Sequence, residues 1–273
     1  PGQALVYSRL APAYAEAYNL GPALICDRQA LSLYRQINNR AKLGDAHNNL
    51  AETYVLLGAY EQAREHTLKS LDFYRQQGYK TYEANTLSLY ALILDRLDQT
   101  EPAEKQYRAS IAAQKALKVN FSLRFSLLYW GDFQLRVGRL TEAELTLDEA
   151  KALNDDVPHM RLTTQAKQAK VYLAQGKREA ALALADAVWR EIEPTGGAGL
   201  PLPLNTLDEC CSVFQACEDS RAKVVLQLAA NVLKRTATKI DDPEMRASFL
   251  NNVPVNRQLQ AAWQRGRVET MEL

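Results

Sequence analysis

The 273-residue chain has no apolar run approaching the roughly 18–20 residues that a membrane-spanning helix needs. It also lacks an excess of either charge. Its 33 basic and 32 acidic residues leave a formal net charge of +1, so no general field draws it to nucleic acid or to a membrane surface. The four cysteines, Cys26, Cys210, Cys211 and Cys217, have no CxxC spacing, which argues against a disulfide framework or a thiolate zinc site. The three histidines, His47, His66 and His159, fall in no metal-ligand spacing. No GxxxxGK[ST] loop is present, and Gly196-Gly197-Ala198-Gly199 has neither a following lysine nor a preceding strand, so it reads as linker. Carboxylates are plentiful, but none form a pair set apart for acid–base work. These absences leave no catalytic residue, metal or cofactor to name, and the chain is not expected to be an enzyme. It carries no secretory signal and opens on Pro1-Gly2, from which a cytoplasmic piece of a longer protein is expected.

What is present is helical periodicity. With 47% apolar and 24% charged residues the composition is that of an ordinary water-facing fold. From Gly44 to Gly78, Ala46, Leu50, Ala51 and Tyr54 recur at helical spacing and lead to Gly58, which suits a left-handed helix end. A second helix begins near Tyr60, carries Ala63, Thr67, Ser70, Leu71 and Tyr74 on one side, and stops at Gly78. Small residues at Ala51 and Ala63, on either side of the turn, let the two antiparallel helices approach closely.

The pair recurs along the chain. Steps of about forty residues give Ala11 with Ala23, Ala91 with Ala103, Gly131 with Ala143, Ala169 with Ala181 and Cys210 with Ala222, always twelve apart. Three residues after the first member stand Tyr14, Tyr54, Leu94, Gln134, Tyr172 and Val213, and seven after it come Gly58, Gly138 and Gly176. Helical hairpins repeating at this period form a solenoid, in which each unit buries its apolar face against its neighbours.

This order of small residue, aromatic or apolar residue, glycine and alanine resembles the tetratricopeptide repeat, best matched by AETYVLLGAYEQA from Ala51 to Ala63. Two departures stand out. Thr67 and Ser70 occupy positions where an aromatic and an alanine are usual, and most units lack a closing proline. The resemblance implies an all-α, right-handed α-solenoid of about six helix–turn–helix units, a superhelix with a helical C-terminal cap. A second stretch, DDPEMRASFLNNVPVNRQLQAAW, is similar to the C-terminal end of large bacterial signal-transduction ATPases and regulators, which implies a sensing or partner-binding role in signalling.

The expected layout is a repeat array over residues 1–240, with units at about 1–40, 41–79, 80–120, 121–158, 159–193 and 204–240. Capping helices follow over 241–265, and a loose tail over 266–273. Thr100 is expected to cap the helix after it, Thr141-Glu142-Ala143-Glu144 to form a capping box, and Asp242-Pro243 to open a helix. The glycine- and proline-rich EPTGGAGLPLPLN from Glu193 to Asn205 is the natural place for mobility. Phe249, Leu250, Leu259 and Trp263 are available to cover the last unit. Trp130 reads as a core wedge, Trp189 and Trp263 as structural, and the cysteines as packing.

Repeat arrays of this kind use the concave face lined by the first helix of each unit. In the family the positions two before and one after the small residue point there. The expected partner-binding residues are Arg9, Asn48, Asn49, Glu52, Asn85, Leu89, Leu92, Arg96, Tyr129, Asp132, Arg136, Lys167 and Lys170. A mixed groove of this composition suits an extended or helical peptide. The leading expectation is a non-catalytic module that binds a protein, a peptide or another domain of the same polypeptide, and neither nucleic acid nor membrane. The alternative is a small-molecule inducer sensor of a signal-transduction ATPase, with an aromatic-lined pocket near Tyr129 and Lys167.

Overall fold

The computed structural model describes residues 2–154 and 156–271, among which all regular structure is helical. Six hairpins follow one another: α1 (Gly2–Glu16) with α2 (Leu20–Gln36), α3 (Arg40–Leu56) with α4 (Tyr60–Gln77), α5 (Lys80–Arg96) with α6 (Thr100–Ala116), α7 (Asn120–Arg136) with α8 (Leu140–Asn154), α9 (Pro158–Ala174) with α10 (Arg178–Ile192), and α11 (Pro203–Ala216) with α12 (Arg221–Thr238). Then come α13 (Pro243–Asn251) and α14 (Pro254–Met271).

The forty-residue period has a simple origin. Helices α2 to α7 are 17 or 18 residues long, separated by gaps of two or three residues, so two helices and two gaps span one repeat. The gaps within the hairpins, and those between the first four hairpins, each contain a left-handed residue. Within hairpins these are Tyr18, Gly58, Asp98, Gly138, Gly176 and Glu218; between hairpins they include Asn38, Gly78 and Lys118. Around Gly58 the amide donates to the Val55 carbonyl and the Ala59 amide to that of Tyr54, at 3.0 and 2.9 Å. That is the Schellman pattern, which satisfies carbonyls a helix end would otherwise leave unpaired. The same pair of bonds recurs at Tyr18, Asp98, Gly138, Gly176 and Glu218. Glycine therefore appears at only some repeats because the backbone geometry is shared and the residue is optional.

Packing follows the small-residue register. Ala11, Ala51, Ala91, Gly131, Ala169 and Cys210 are all buried, as are their partners twelve residues on. At Gly131 a Cβ would lie 2.8 Å from a methyl of Leu147, so the α7–α8 contact leaves no room even for alanine without a shift of that side chain. Trp130 is buried and stacks on Phe133 with ring centroids 5.1 Å apart. Trp189 is buried in α10, and Cys26, Cys210 and Cys211 are buried thiols.

The chain divides into two compact units, one of Pro1–Ser126 with Thr238–Asn252 and the other of Leu127–Ala237 with Val253–Leu273. In the first, the stretch from Thr238 lies along the turn edge of the first two hairpins. Gly21 backs directly onto the Lys239 carbonyl, with no space for a Cβ. Lys239 Nζ donates to Asn19 at 2.8 Å, and Asn252 Nδ2 donates to the Gly58 carbonyl at 3.1 Å. Arg28 pairs with Asp242 at 3.1 Å, and Phe249 meets the edge of Tyr18. Phe249 is buried, and Tyr18 of the first hairpin supplies an aromatic partner for it. In the second unit α14 packs on α11, with Val255 and Leu259 buried.

Several local expectations need correction. Thr100 and Thr141 lie inside α6 and α8, which begin at Thr100 and Leu140, and the residue capping α6 is Gln99 with no side-chain bond. Asp242 does cap α13, accepting from the amides of Glu244 and Met245, with Pro243 at the first helical position. The glycine-rich stretch forms a short 3-10 turn at Glu193–Thr195, buries Leu200 and yields to α11 at Pro203. The last helix continues to Met271, past the point where a tail was expected, while Glu272 and Leu273 lie outside the described residues.

Candidate partner-binding face

The first helices of the first unit, α1, α3 and α5, carry the first half of the expected face. Arg9 is exposed on α1. Asn49 is half-buried and donates to the Ser8 carbonyl at 3.5 Å, reaching back from α3 to α1. Asn48 donates to Glu52 at 2.8 Å and accepts from Thr86 Oγ1 at 2.9 Å, which ties α3 to α5. Asn85 accepts from Gln114 of α6 at 3.1 Å. Leu89 is half-buried, and Arg96 pairs with buried Asp95 at 3.2 Å. Leu92 is buried and is withdrawn from the expected contact surface; its position in the helix turns it into the packing against neighbouring helices.

Glu52 has an unusual environment. Its side chain is water-accessible, yet enough protein surrounds it that desolvation pushes its carboxyl up to about 7, against the lowering effect of the Asn48 amide. Beneath it, Asp27 of α2 is buried and accepts a 2.7 Å hydrogen bond from Thr53 Oγ1. Desolvation raises Asp27 to about 7 as well; the Thr53 bond opposes this and the nearby Glu52 charge adds to it. Two carboxyls from adjacent helices thus sit near neutrality at one end of this face.

In the second unit the same registers bring charges together. Lys167 was expected to meet a partner, but it is 1% exposed and bridges Asp132 at 2.7 Å and Glu209 at 2.8 Å. Its ammonium is held in its charged form by the two carboxylates, which outweigh the cost of burial. Burial pushes Glu209 up to about 7, with Lys167 pulling the other way. Glu209 Oε2 has no hydrogen-bond partner among the described residues. The cause of the correction is length: a lysine stem spans from α9 to both α7 and α11, so the ammonium closes a triad instead of facing solvent. Lys170 is half-buried and pairs with Asp208 at 3.1 Å. Tyr129 and Asp132 are half-buried, and exposed Arg136 lies over the Phe133 ring at 5.4 Å.

Spacing alone missed one further pair. His47 and His66 meet Nδ1 to Nδ1 at 2.7 Å across the α3–α4 hairpin. Burial, like-charged neighbours and, for His47, the other imidazole lower them to about 3 and about 4. The signal that could have found them is hairpin symmetry. Ala51 faces Ala63, so a residue four before the first falls opposite one three after the second.

No curated protein matches the sequence. A family model for the tetratricopeptide repeat matches residues 42–116. Among solved structures, one similar to this chain is a Rap protein complexed with competence and sporulation factor, at 14% identity and TM-score 0.67, covering 96% of this chain and 76% of that one. A second is the Rap conjugation gene regulator of plasmid pLS20 in complex with the Phr* peptide, at 12% identity and TM-score 0.65, covering 92% and 73%. A third is a signal transduction ATPase with numerous domains from Pyrococcus horikoshii that has a tetratricopeptide repeat sensor, at 18% identity and TM-score 0.56. That match covers 90% of this chain and only 38% of the ATPase. At such identities the likeness is one of fold. Residues 42–116 match the tetratricopeptide repeat, and the hairpins on either side of them share its α-solenoid fold.

Proposed function

We propose that the chain is a non-catalytic recognition module that binds a peptide or protein segment along the face made by α1, α3 and α5, within a larger regulatory protein. The observation that carries this is on α1, α3 and α5. Arg9, Asn49, Glu52 and Leu89, in the registers flanking the buried small residues, keep water-accessible surface. Beneath them the inter-helix bonds from Asn49 to Ser8 and from Thr86 to Asn48 hold the helices in place. A surface held rigid before it binds loses less entropy on association. The two Rap structures named above each contain a bound peptide or factor, which supports the same reading by analogy of fold.

A phage-displayed peptide library selected on the chain tests it. Selected peptides should bind the native chain and lose at least about tenfold in affinity to Arg9→Glu or Glu52→Lys, the loss of one good polar contact being about 1.4 kcal/mol. Failure to enrich any peptide, or enrichment unaffected by both substitutions, removes the proposal. The alternative of an inducer pocket near Tyr129 and Lys167 has less support, because Lys167 is committed to its two carboxylates. A thermal-shift screen with sugars and nucleotides addresses it, since a ligand bound only by the native state raises stability.

A further inference from the structure

The second helices of the first two hairpins do not close against each other along their whole length. Between α2 and α4 lies an open pocket of about 520 Å³ whose floor is made by Leu50 and Tyr54 of α3. Its rim carries three cations, Arg28 and Arg35 from α2 and Lys69 from α4, against one carboxylate, Glu65. In a chain of formal net charge +1, that is a local concentration of positive charge.

Two of the cations are available, while the third, Arg28, already pairs with Asp242 at 3.1 Å. Arg35 has no carboxylate within ion-pair distance among the described residues. Among the described residues Lys69 pairs only with Glu65, one turn earlier on its own helix, in an exposed pair of the kind that contributes little. Arg28 lies over the Tyr54 ring at 5.9 Å and reaches its hydroxyl at 3.4 Å, so its guanidinium is held at the pocket wall. Tyr54 in turn lies against His66, with ring centroids 5.7 Å apart, and His66 against His47. The pocket thus offers flat ring surface on one side and guanidinium and ammonium donors on the other.

We propose that this pocket binds a small phosphorylated molecule, its phosphate gripped by Arg35, Lys69 and Arg28 and its body lying against Tyr54 and His66. Guanidinium groups present paired donors to phosphate oxygens, and charge-assisted bonds of this type are the strong ones. The volume is that of an ordinary small-ligand pocket, which runs to a few hundred Å³. The site is separate from the face made by α1, α3 and α5, so either could fail without the other.

His66 gives the site its own reporter. It faces Arg35 from α2, His47 and Tyr54 from α3, and Glu65 and Lys69 from its own helix, and the nearby positive charge of Lys69 and Arg35 helps keep it neutral. An anion seated between those cations offsets their field, and the imidazole should then take up its proton at a higher pH.

The test is calorimetric titration of the chain with inorganic pyrophosphate and with adenosine monophosphate, with imidazole proton resonances followed against pH. Saturable binding is expected, weakened about tenfold by Arg35→Gln and again by Lys69→Gln, each tenfold step equal to about 1.4 kcal/mol. Arg108→Gln, an exposed change on α6, should leave it unchanged. Both pocket substitutions are at exposed residues, and unchanged circular dichroism would show that the fold persists. The His66 titration should move to higher pH only with ligand present. Pyrophosphate binding without adenosine monophosphate binding would place the anion grip but remove the role of the rings. Binding of neither probe, or binding indifferent to both pocket substitutions, overturns the proposal.

Discussion

Thr53 Oγ1 donates a 2.7 Å hydrogen bond to the carboxyl of Asp27, linking α3 to α2 where both side chains are buried. Burial raises the Asp27 carboxyl from its ordinary 3.8 to about 7. In the folded state its proton is therefore favoured. The stability this group allows is full below about pH 4 and is lost as the pH rises through about 7. Asp27→Asn keeps an acceptor for Thr53 and removes the buried charge. The variant should be more stable than the native chain at pH 8, by up to roughly 2–4 kcal/mol, and should match the native chain at pH 4. Denaturant titrations at the two pH values check this, and an equal effect at both would contradict it.

In the second unit, removing the Lys167 ammonium takes away the buried cation that bridges Asp132 and Glu209. Lys167→Met should destabilise the unit by about 3–5 kcal/mol, the usual result of breaking a buried pair from one side. Adding Glu209→Gln should recover part of that loss. A urea double-mutant cycle measures the coupling, and additive losses would show that the triad does not act as one group.

Gly21 meets the carbonyl of Lys239 with no room for a methyl group. Gly21→Ala should release the 238–252 stretch from the first hairpin, because backbone cannot give way as a flexible side chain can. Amide exchange should quicken across α13 while remaining slow in α5 and α6. Gly131→Ala, whose new methyl would meet only the end of Leu147, should cost much less.

The left-handed helix ends at Asp98 and Lys118 are occupied by residues with a Cβ. Asp98→Gly and Lys118→Gly should each raise stability by about 1 kcal/mol, the strain an L-residue carries in that conformation, less the entropy glycine loses on folding. The same substitution at Tyr18 should lower stability, because it also removes the contact with Phe249. Thermal melts of the three variants distinguish the cases.

Much of the candidate face was legible, because the same registers that bury Ala51 and Ala63 place Asn48, Asn49 and Glu52 beside them on the helix. Lys167 was misplaced for a reason that periodicity does not contain. Helical spacing gives the direction in which a side chain leaves the backbone, while a four-carbon stem decides where the charge ends, and here carboxylates on two other helices receive it. The rim of the α2–α4 pocket was not legible for the same reason. Arg28, Arg35 and Lys69 look like solvated positions on two separate helices until those helices are set side by side.

By itself the sequence determined the repeat: its forty-residue period, its small-residue contacts and its left-handed turns. Each of these depends on residues close together in the chain and on local backbone sterics. Only the tertiary structure decided where the stretch after Thr238 docks and which charges are paired. Those outcomes join residues as far apart as Asn19 and Lys239, and such contacts depend on how whole helices pack rather than on any local pattern.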